Sequence, residues 1–157
     1  MLKREEYKKS HLVCQEHNMP QTLIVGVDIG KAFNAVGFMD KEGNVLGSCA
    51  KLYNNRDGFE EFINLIEGLK AKHHLRDVFI GMEPTGHSWR KLAYFAKDHD
   101  YEVRFVRTTA LKHHREINEN SSAKSDQRDA LTIANITRER LGEKEKRSKY
   151  HHNHFQL

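Results

Sequence analysis

Apolar positions along the chain switch between continuous, alternating and helical spacing, and each switch marks an element. Leu23-Ile24-Val25-Gly26-Val27 is a near-continuous apolar run closed by Asp28, which predicts a strand buried on both faces. Phe33, Ala35, Gly37 and Met39 then alternate with Asn34, Val36 and Phe38 as a second strand. Asp40-Lys41-Glu42-Gly43-Asn44 reads as a turn, and Val45 to Tyr53 returns as a third strand. From Asn55 the period becomes helical: Phe59, Phe62, Ile63, Ile66 and Leu69 form one stripe, entered through Asp57 and Gly58. Val78-Phe79-Ile80-Gly81-Met82 is a second short buried strand, and it too ends on a carboxylate, Glu83. Pro84-Thr85-Gly86 breaks the chain, and Thr85 is placed to cap a helix running to about Asp98, with Trp89, Leu92, Ala93 and Ala96 on its inner face. Tyr101, Val103 and Phe105 alternate as a further strand, and Arg107 to Ala123 is expected as a basic loop with room for one helical turn. A last helix is predicted from near Ser125 to about Leu141.

The resulting order, β-β-β-α-β-α-β-α, belongs to the α/β class. A meander followed by crossover units implies a mixed five-stranded sheet flanked by helices. That is the order of the ribonuclease H-like (RuvC-like) fold. Residues 21–141 would make up this domain, preceded by a polar tail over 1–20 and followed by a loose, charged, histidine-bearing tail over 142–157.

Bulk composition narrows the setting without naming a role. Charged residues make up 31% and apolar ones 38%, as in ordinary soluble domains. The formal charge of +4 and a pI near 9.0 are compatible with a polyanionic partner but do not require one. Cys14 and Cys49 offer neither a disulfide framework nor metal-ligand spacing, so free thiols are expected. No apolar run approaches the ~20 residues of a membrane span, and the opening Met-Leu-Lys-Arg-Glu-Glu lacks a signal-peptide core. A cytoplasmic location is the expectation.

Chemistry enters with the acids. In such a sheet the strands ending on Asp28 and Glu83 are neighbours, and both carboxylates sit at carboxyl ends, where open α/β sheets collect ligands. The last helix opens Lys124-Ser125-Asp126-Gln127-Arg128-Asp129-Ala130; Asp126 and Asp129 are three apart on one face, which Ala130, Ile133 and Ile136 carry toward the core. Each acid has an ordinary explanation: a turn cap for Asp28, a loop acid for Glu83, and dipole compensation for the helix pair. Four of them at one edge would repel strongly unless divalent cations lay between them. Carboxylate oxygens suit Mg²⁺ or Mn²⁺, and two such ions ~3.5–4 Å apart clamp the attacking and leaving oxygens of a displacement at phosphorus.

Val25-Gly26-Val27-Asp28-Ile29-Gly30-Lys31, Met82-Glu83-Pro84-Thr85-Gly86-His87 and Lys124-Ser125-Asp126-Gln127-Arg128-Asp129-Ala130 together resemble the DEDD transposases. These are the RuvC-like insertion-sequence recombinases of the IS-one-ten group, relatives of the Piv DNA invertases. The likeness spans about residues 23 to 140, and its glutamate and paired-aspartate motifs are the specific part. It implies a catalytic, metal-binding tetrad of Asp28, Glu83, Asp126 and Asp129 holding Mg²⁺ (or Mn²⁺). It also implies DNA as substrate, a structured guide (bridge) RNA as partner, and assembly into dimers or tetramers. Family members continue into a second domain that supplies a nucleophilic serine; Ser121, Ser122 and Ser125 do not match its position. The expectation is therefore an excised or truncated catalytic half that does not complete strand exchange alone.

Basic residues add a candidate nucleic-acid surface. Lys31 follows the Gly30 turn, and Arg107, Lys112, His113, His114, Arg115 and Lys124 gather before the last helix, where they can grip backbone phosphates without reading sequence. A solvated loop explains them equally well. His87 reads as a surface residue at a helix start, Trp89 as core, and His151, His152 and His154 as a tail rather than a metal site. Two other functions remain open from sequence. One is a stand-alone RuvC- or YqgF-like junction nuclease; the other is a non-catalytic nucleic-acid-binding fragment. An actin-like ATPase also begins with Asp-x-Gly, but its second lobe and glycine-rich nucleotide motifs are missing here.

Overall fold

The computed structural model describes residues 21–117 and 125–150, apart from the side chains of 108, 114–117, 125 and 143–150. Strands β1 (Thr22–Asp28), β2 (Phe33–Asp40) and β3 (Ala50–Tyr53) precede helix α1 (Arg56–His73). Then come β4 (Asp77–Met82), α2 (Trp89–Asp98), β5 (Glu102–Phe105), α3 (Thr108–Ile117) and α4 (Ser125–Tyr150). One five-stranded sheet holds them in the order β3-β2-β1-β4-β5. The hairpin-linked strands pair antiparallel, while β1–β4 and β4–β5 pair parallel across helical crossovers. A meander that continues into parallel crossovers, with helices on both faces, is the ribonuclease H-like arrangement expected from the apolar pattern.

Both faces of β1 are covered, which is why its apolar run is continuous. Leu23, Val25 and Val27 join Val36, Phe38, Ile80, Met82, the α1 stripe of Phe59, Phe62 and Ile66, and Leu92, Ala93 and Ala96 of α2 in the main core. Ile24, on the opposite face, packs with Met39 and with Ala134, Leu131 and Leu141 of α4. A smaller cluster of Val106, Leu111, Ile133 and Ile136 joins α3 to α4.

Local chemistry sets the boundaries and corrects several expectations. The Asp40 turn forms as read: its Oδ1 accepts the amides of Glu42 (3.0 Å) and Asn44 (2.8 Å). The third strand is shorter than Val45 to Tyr53, because only Val45 bridges back to Met39 before Gly47 turns at φ +65° and pairing resumes at Ala50. Helix α1 is capped by Asn55, whose Oδ1 accepts the Gly58 amide at 3.0 Å, so Asp57 and Gly58 lie inside its first turn. Helix α2 begins at Trp89 and not at Thr85, whose amide instead turns back to the Glu83 carbonyl at 2.9 Å. Trp89 packs half-buried against the main core, as read, with its Nε1 donating to the Gly86 carbonyl at 3.0 Å.

Two differences are larger. The stretch read as a basic loop from Arg107 contains helix α3, ten residues long. Among its described side chains Leu111 is the fully buried one, and the sequence, with Leu111 and Ile117 six apart, carries no i, i+3, i+4 stripe to read. Helix α4 also runs past Leu141 to Tyr150, through part of what was expected to be a loose tail. Glu143, Lys144, Glu145, Lys146 and Arg147 are good helix formers, and Gly142 costs only about 1 kcal/mol. The polar tail over 1–20 and the histidines at 151, 152 and 154 lie outside the described residues. Cys49 is a free thiol whose half-burial pushes its pKa up, while Cys14 lies outside the described residues. Among the described residues no helix is long and apolar enough to cross a membrane.

Candidate active site

Three glycines make the sheet's second face unusually thin. Gly26 of β1 is in register with Gly37 of β2 on one side and with Gly81 of β4 on the other. A Cβ on Gly26 would meet the Ala130 carbonyl oxygen at 1.9 Å. On Gly37 it would meet Leu131 Cδ2 at 2.8 Å, and on Gly81 Thr137 Oγ1 at 1.9 Å. Helix α4 therefore lies directly on this row, closer than any side chain between them would allow. Ala130 and Ala134 sit over Gly26, whereas Leu141 lies farther back with Ile24 and Met39. The helix thus runs counter to β1, and its N-terminal end, with Asp126 in the first turn and Asp129 in the next, is directed to the carboxyl end of β1.

Asp28 closes β1 two residues beyond Gly26, so strand alternation puts it on the face that α4 covers. Val27 is in register with Met82, which makes Asp28 and Glu83 next neighbours across adjacent parallel strands. Alternation continued from Gly81 carries Glu83 to the same face. Asp28, Glu83 and Asp129 are half-buried, and Asp126 is exposed. Topology therefore sets Asp28 and Glu83 side by side at one rim and turns the N-terminal end of α4 toward it.

The side chains themselves do not form a finished cage. Among the described residues no three His, Cys, Asp or Glu side chains lie close enough together to hold a metal ion. The donor set is nonetheless all carboxylate oxygen, which is the chemistry of a Mg²⁺ or Mn²⁺ site and unsuited to a softer metal.

An amide network, missed in the sequence reading, fixes the two loops that leave this rim. Asn34 is almost completely buried (2% exposed). Its Oδ1 accepts the Gly30 amide at 3.1 Å, and its Nδ2 donates to Asn54 Oδ1 at 3.2 Å. Asn54 Nδ2 in turn donates to the Gly30 carbonyl (2.8 Å) and to the Ser88 carbonyl (3.2 Å). The turn following Asp28 is thereby tied to the loop following Glu83. The available signal was Asn34 itself, a polar residue in an otherwise apolar strand. Glycines at mid-strand, at 26, 37 and 81, were likewise a readable sign of close backbone approach.

Among the basic candidates, Lys31 lies exposed in the turn after β1, and Arg107, Lys112 and His113 lie exposed after β5 and on α3. The carboxyl ends of β1, β4 and β5 share one edge, so these groups flank the acids. The side chains of His114 and Arg115, and Lys124 altogether, lie outside the described residues.

Fold and rim together define an α/β protein of the ribonuclease H-like class with acids at the carboxyl edge of its central strands. The family model of IS110-type DEDD transposases, described as a transposase, matches residues 25–152, and the chain belongs to that family. Among curated proteins there is no match by sequence. Solved structures of similar shape include T. thermophilus RuvC in complex with Holliday junction substrate, at 15% identity and a TM-score of 0.47, covering 77% of this chain and 96% of that one. The fowlpox virus Holliday junction resolvase aligns at 14% identity and a TM-score of 0.49, covering 76% of this chain and 99% of the resolvase.

Proposed function

We propose that this chain is the catalytic N-terminal domain of an insertion-sequence DNA transposase, with Asp28, Glu83, Asp126 and Asp129 as its acidic tetrad. The observation that supports this most is the placement of Asp28 and Glu83 one residue beyond the Val27–Met82 register pair on adjacent parallel strands, beneath a helix whose first two turns carry two more acids. Those four side chains would hold Mg²⁺ or Mn²⁺, as two ions. Bound there, the metal supplies Lewis-acid activation and charge stabilisation for displacement at a DNA phosphodiester. The protein's own part is to fix the carboxylates: the glycine row seats α4, and the Asn34–Asn54 network holds the loops. Lys31, Arg107, Lys112, His113, His114, Arg115 and Lys124 would bind backbone phosphates beside the acids, a salt-dependent contact.

In this reading the partners are DNA and a structured guide RNA, and the working form is a dimer or tetramer. Full strand exchange would also draw on a nucleophilic serine from a second domain. Calorimetric titration with Mn²⁺ tests the site: wild type is expected to bind, and Asp28→Asn and Asp126→Asn to lose binding while keeping their circular dichroism. Equal Mn²⁺ affinity in all three proteins would overturn the assignment. Metal-dependent cutting of a four-way junction by this chain alone would instead favour a self-sufficient nuclease.

A further inference from the structure

Beside the acids lies an aromatic surface that the metal chemistry does not use. Phe33 opens β2 and Tyr53 closes β3, and the two are register partners whose ring centroids are 4.5 Å apart. Both are exposed at the protein surface, Phe33 by 37% and Tyr53 by 57%. Lys51 reaches over the Phe33 ring, with Nζ 4.5 Å from its centroid. Their position follows from the register. Asp28 pairs with Ala35, and Ala35 with Lys51, so acid and lysine occupy one row of one sheet face, two strand spacings or about 10 Å apart. Phe33 is two residues from Ala35, hence on that same face and one row farther out, past the carboxyl end of β1.

Edge strands do carry aromatic pairs and lysines for structural reasons, as cross-strand stabilisers and as guards against edge pairing. Here, however, the pair is on the face bearing Asp28, it exposes ring surface, and it carries Lys51 on the Phe33 ring, with exposed Lys31 two residues before Phe33 in the adjoining turn. Exposed rings within a basic surround are what sequence-tolerant binding of unpaired nucleic acid uses, because every base offers a π-face and every nucleotide a phosphate. Paired bases inside a duplex are already stacked and cannot lie on such a shelf without being unstacked. The distance from Asp28 corresponds to about three stacked nucleotides at ~3.4 Å each.

We propose that Phe33 and Tyr53, with Lys51, form a stacking shelf for an unpaired base of the DNA strand whose phosphate lies at the acidic rim. The proposal rests on the reading of that rim as the catalytic site and specifies its substrate: a strand locally opened, not an intact duplex.

The test is run in chelator, so that it does not depend on the metal site. Fluorescence anisotropy with a labelled oligothymidylate and with a fully paired duplex of equal length compares wild type with Phe33→Leu/Tyr53→Leu. Wild type is expected to prefer the single strand. The double variant should lose about ten-fold or more in single-strand affinity, with duplex affinity little changed. A parallel measurement needs no variant: oligonucleotides carrying 5-iododeoxyuridine, irradiated on wild-type protein, should crosslink to Phe33 or Tyr53. The absence of single-strand preference, unchanged affinity in a folded double variant, or crosslinks mapping only elsewhere would each overturn the shelf. None of these results bears on Mn²⁺ binding by the acids. Loss of the shelf with metal binding intact would thus separate its failure from that of the catalytic reading.

Discussion

Gly26 and Ala130 meet backbone to backbone, with room for neither a methyl group nor a water between them: a Cβ at Gly26 would lie 1.9 Å from the Ala130 carbonyl oxygen and 2.5 Å from the Ala134 nitrogen. Strand and helix obstruct one another as main chain, so no flexible side chain can give way. Gly26→Ala should therefore cost at least the ~1–3 kcal/mol typical of overpacking, and should shift the α4 turn that carries Asp129. Gly68→Ala, within α1 and with nothing inside 4 Å of the added carbon, should instead stabilise by up to about 1 kcal/mol. Urea denaturation of the two variants checks both signs.

If the acids hold metal, stability should depend on it. A ligand that binds only the folded chain adds about 2.7 kcal/mol at a hundred times its Kd. Wild type should melt several degrees higher in saturating Mn²⁺ than in chelator, and Asp28→Asn should show little or no such rise. Differential scanning calorimetry in the two buffers reads the difference directly.

Asn34 and Asn54 should behave as a unit. Truncating either leaves a part-buried amide or carbonyl partner unsatisfied, at a cost of about 1–3 kcal/mol. Once one is gone much of the network is already lost, so the double substitution Asn34→Ala/Asn54→Ala should cost less than the two single costs added. A double-mutant cycle by urea denaturation measures that coupling. Additive costs would mean that the two amides act separately on the loops after Asp28 and Glu83.

The Tyr101 hydroxyl donates to Glu67 Oε1, linking β5's approach to α1. That hydrogen bond is the main reason the Glu67 carboxyl is held below its ordinary 4.5, with Lys70 assisting and partial burial opposing. Burial first, then the bond and charge of Glu67, push the Tyr101 phenol upward from 10.0. The lowered carboxylate contributes stability above 4.5 that is lost as pH falls through its folded value. The raised phenol contributes stability that is complete below about 10 and lost as pH rises above it. Both groups are partly exposed, so the effects are small. Tyr101→Phe should flatten the stability profile at both ends, as urea midpoints from pH 3 to 5 and from pH 9 to 12 would reveal.

Much of this protein is written in its residue order. The continuous run ending at Asp28, the alternation from Phe33, the Phe59–Leu69 stripe and the second buried run ending at Glu83 specify strand or helix by period alone, because burial of one or both faces dictates which positions are apolar. Helix α3 was illegible because its large apolar residues, Leu111 and Ile117, are six apart and make no stripe at helical spacing. The extension of α4 to Tyr150 was illegible because a polar helix and a polar tail share one composition.

The acids were nameable from sequence, since a charge closing a buried strand is conspicuous on chemical grounds. Where they stand was a tertiary matter. Element order already put Asp28 and Glu83 on neighbouring strands; register sets them level, and the three aligned glycines let α4 settle close enough to turn its N-terminal end toward the same rim. Periodicity reports which residues avoid water within one element; contact between elements depends on register and approach distance, which a linear order does not encode.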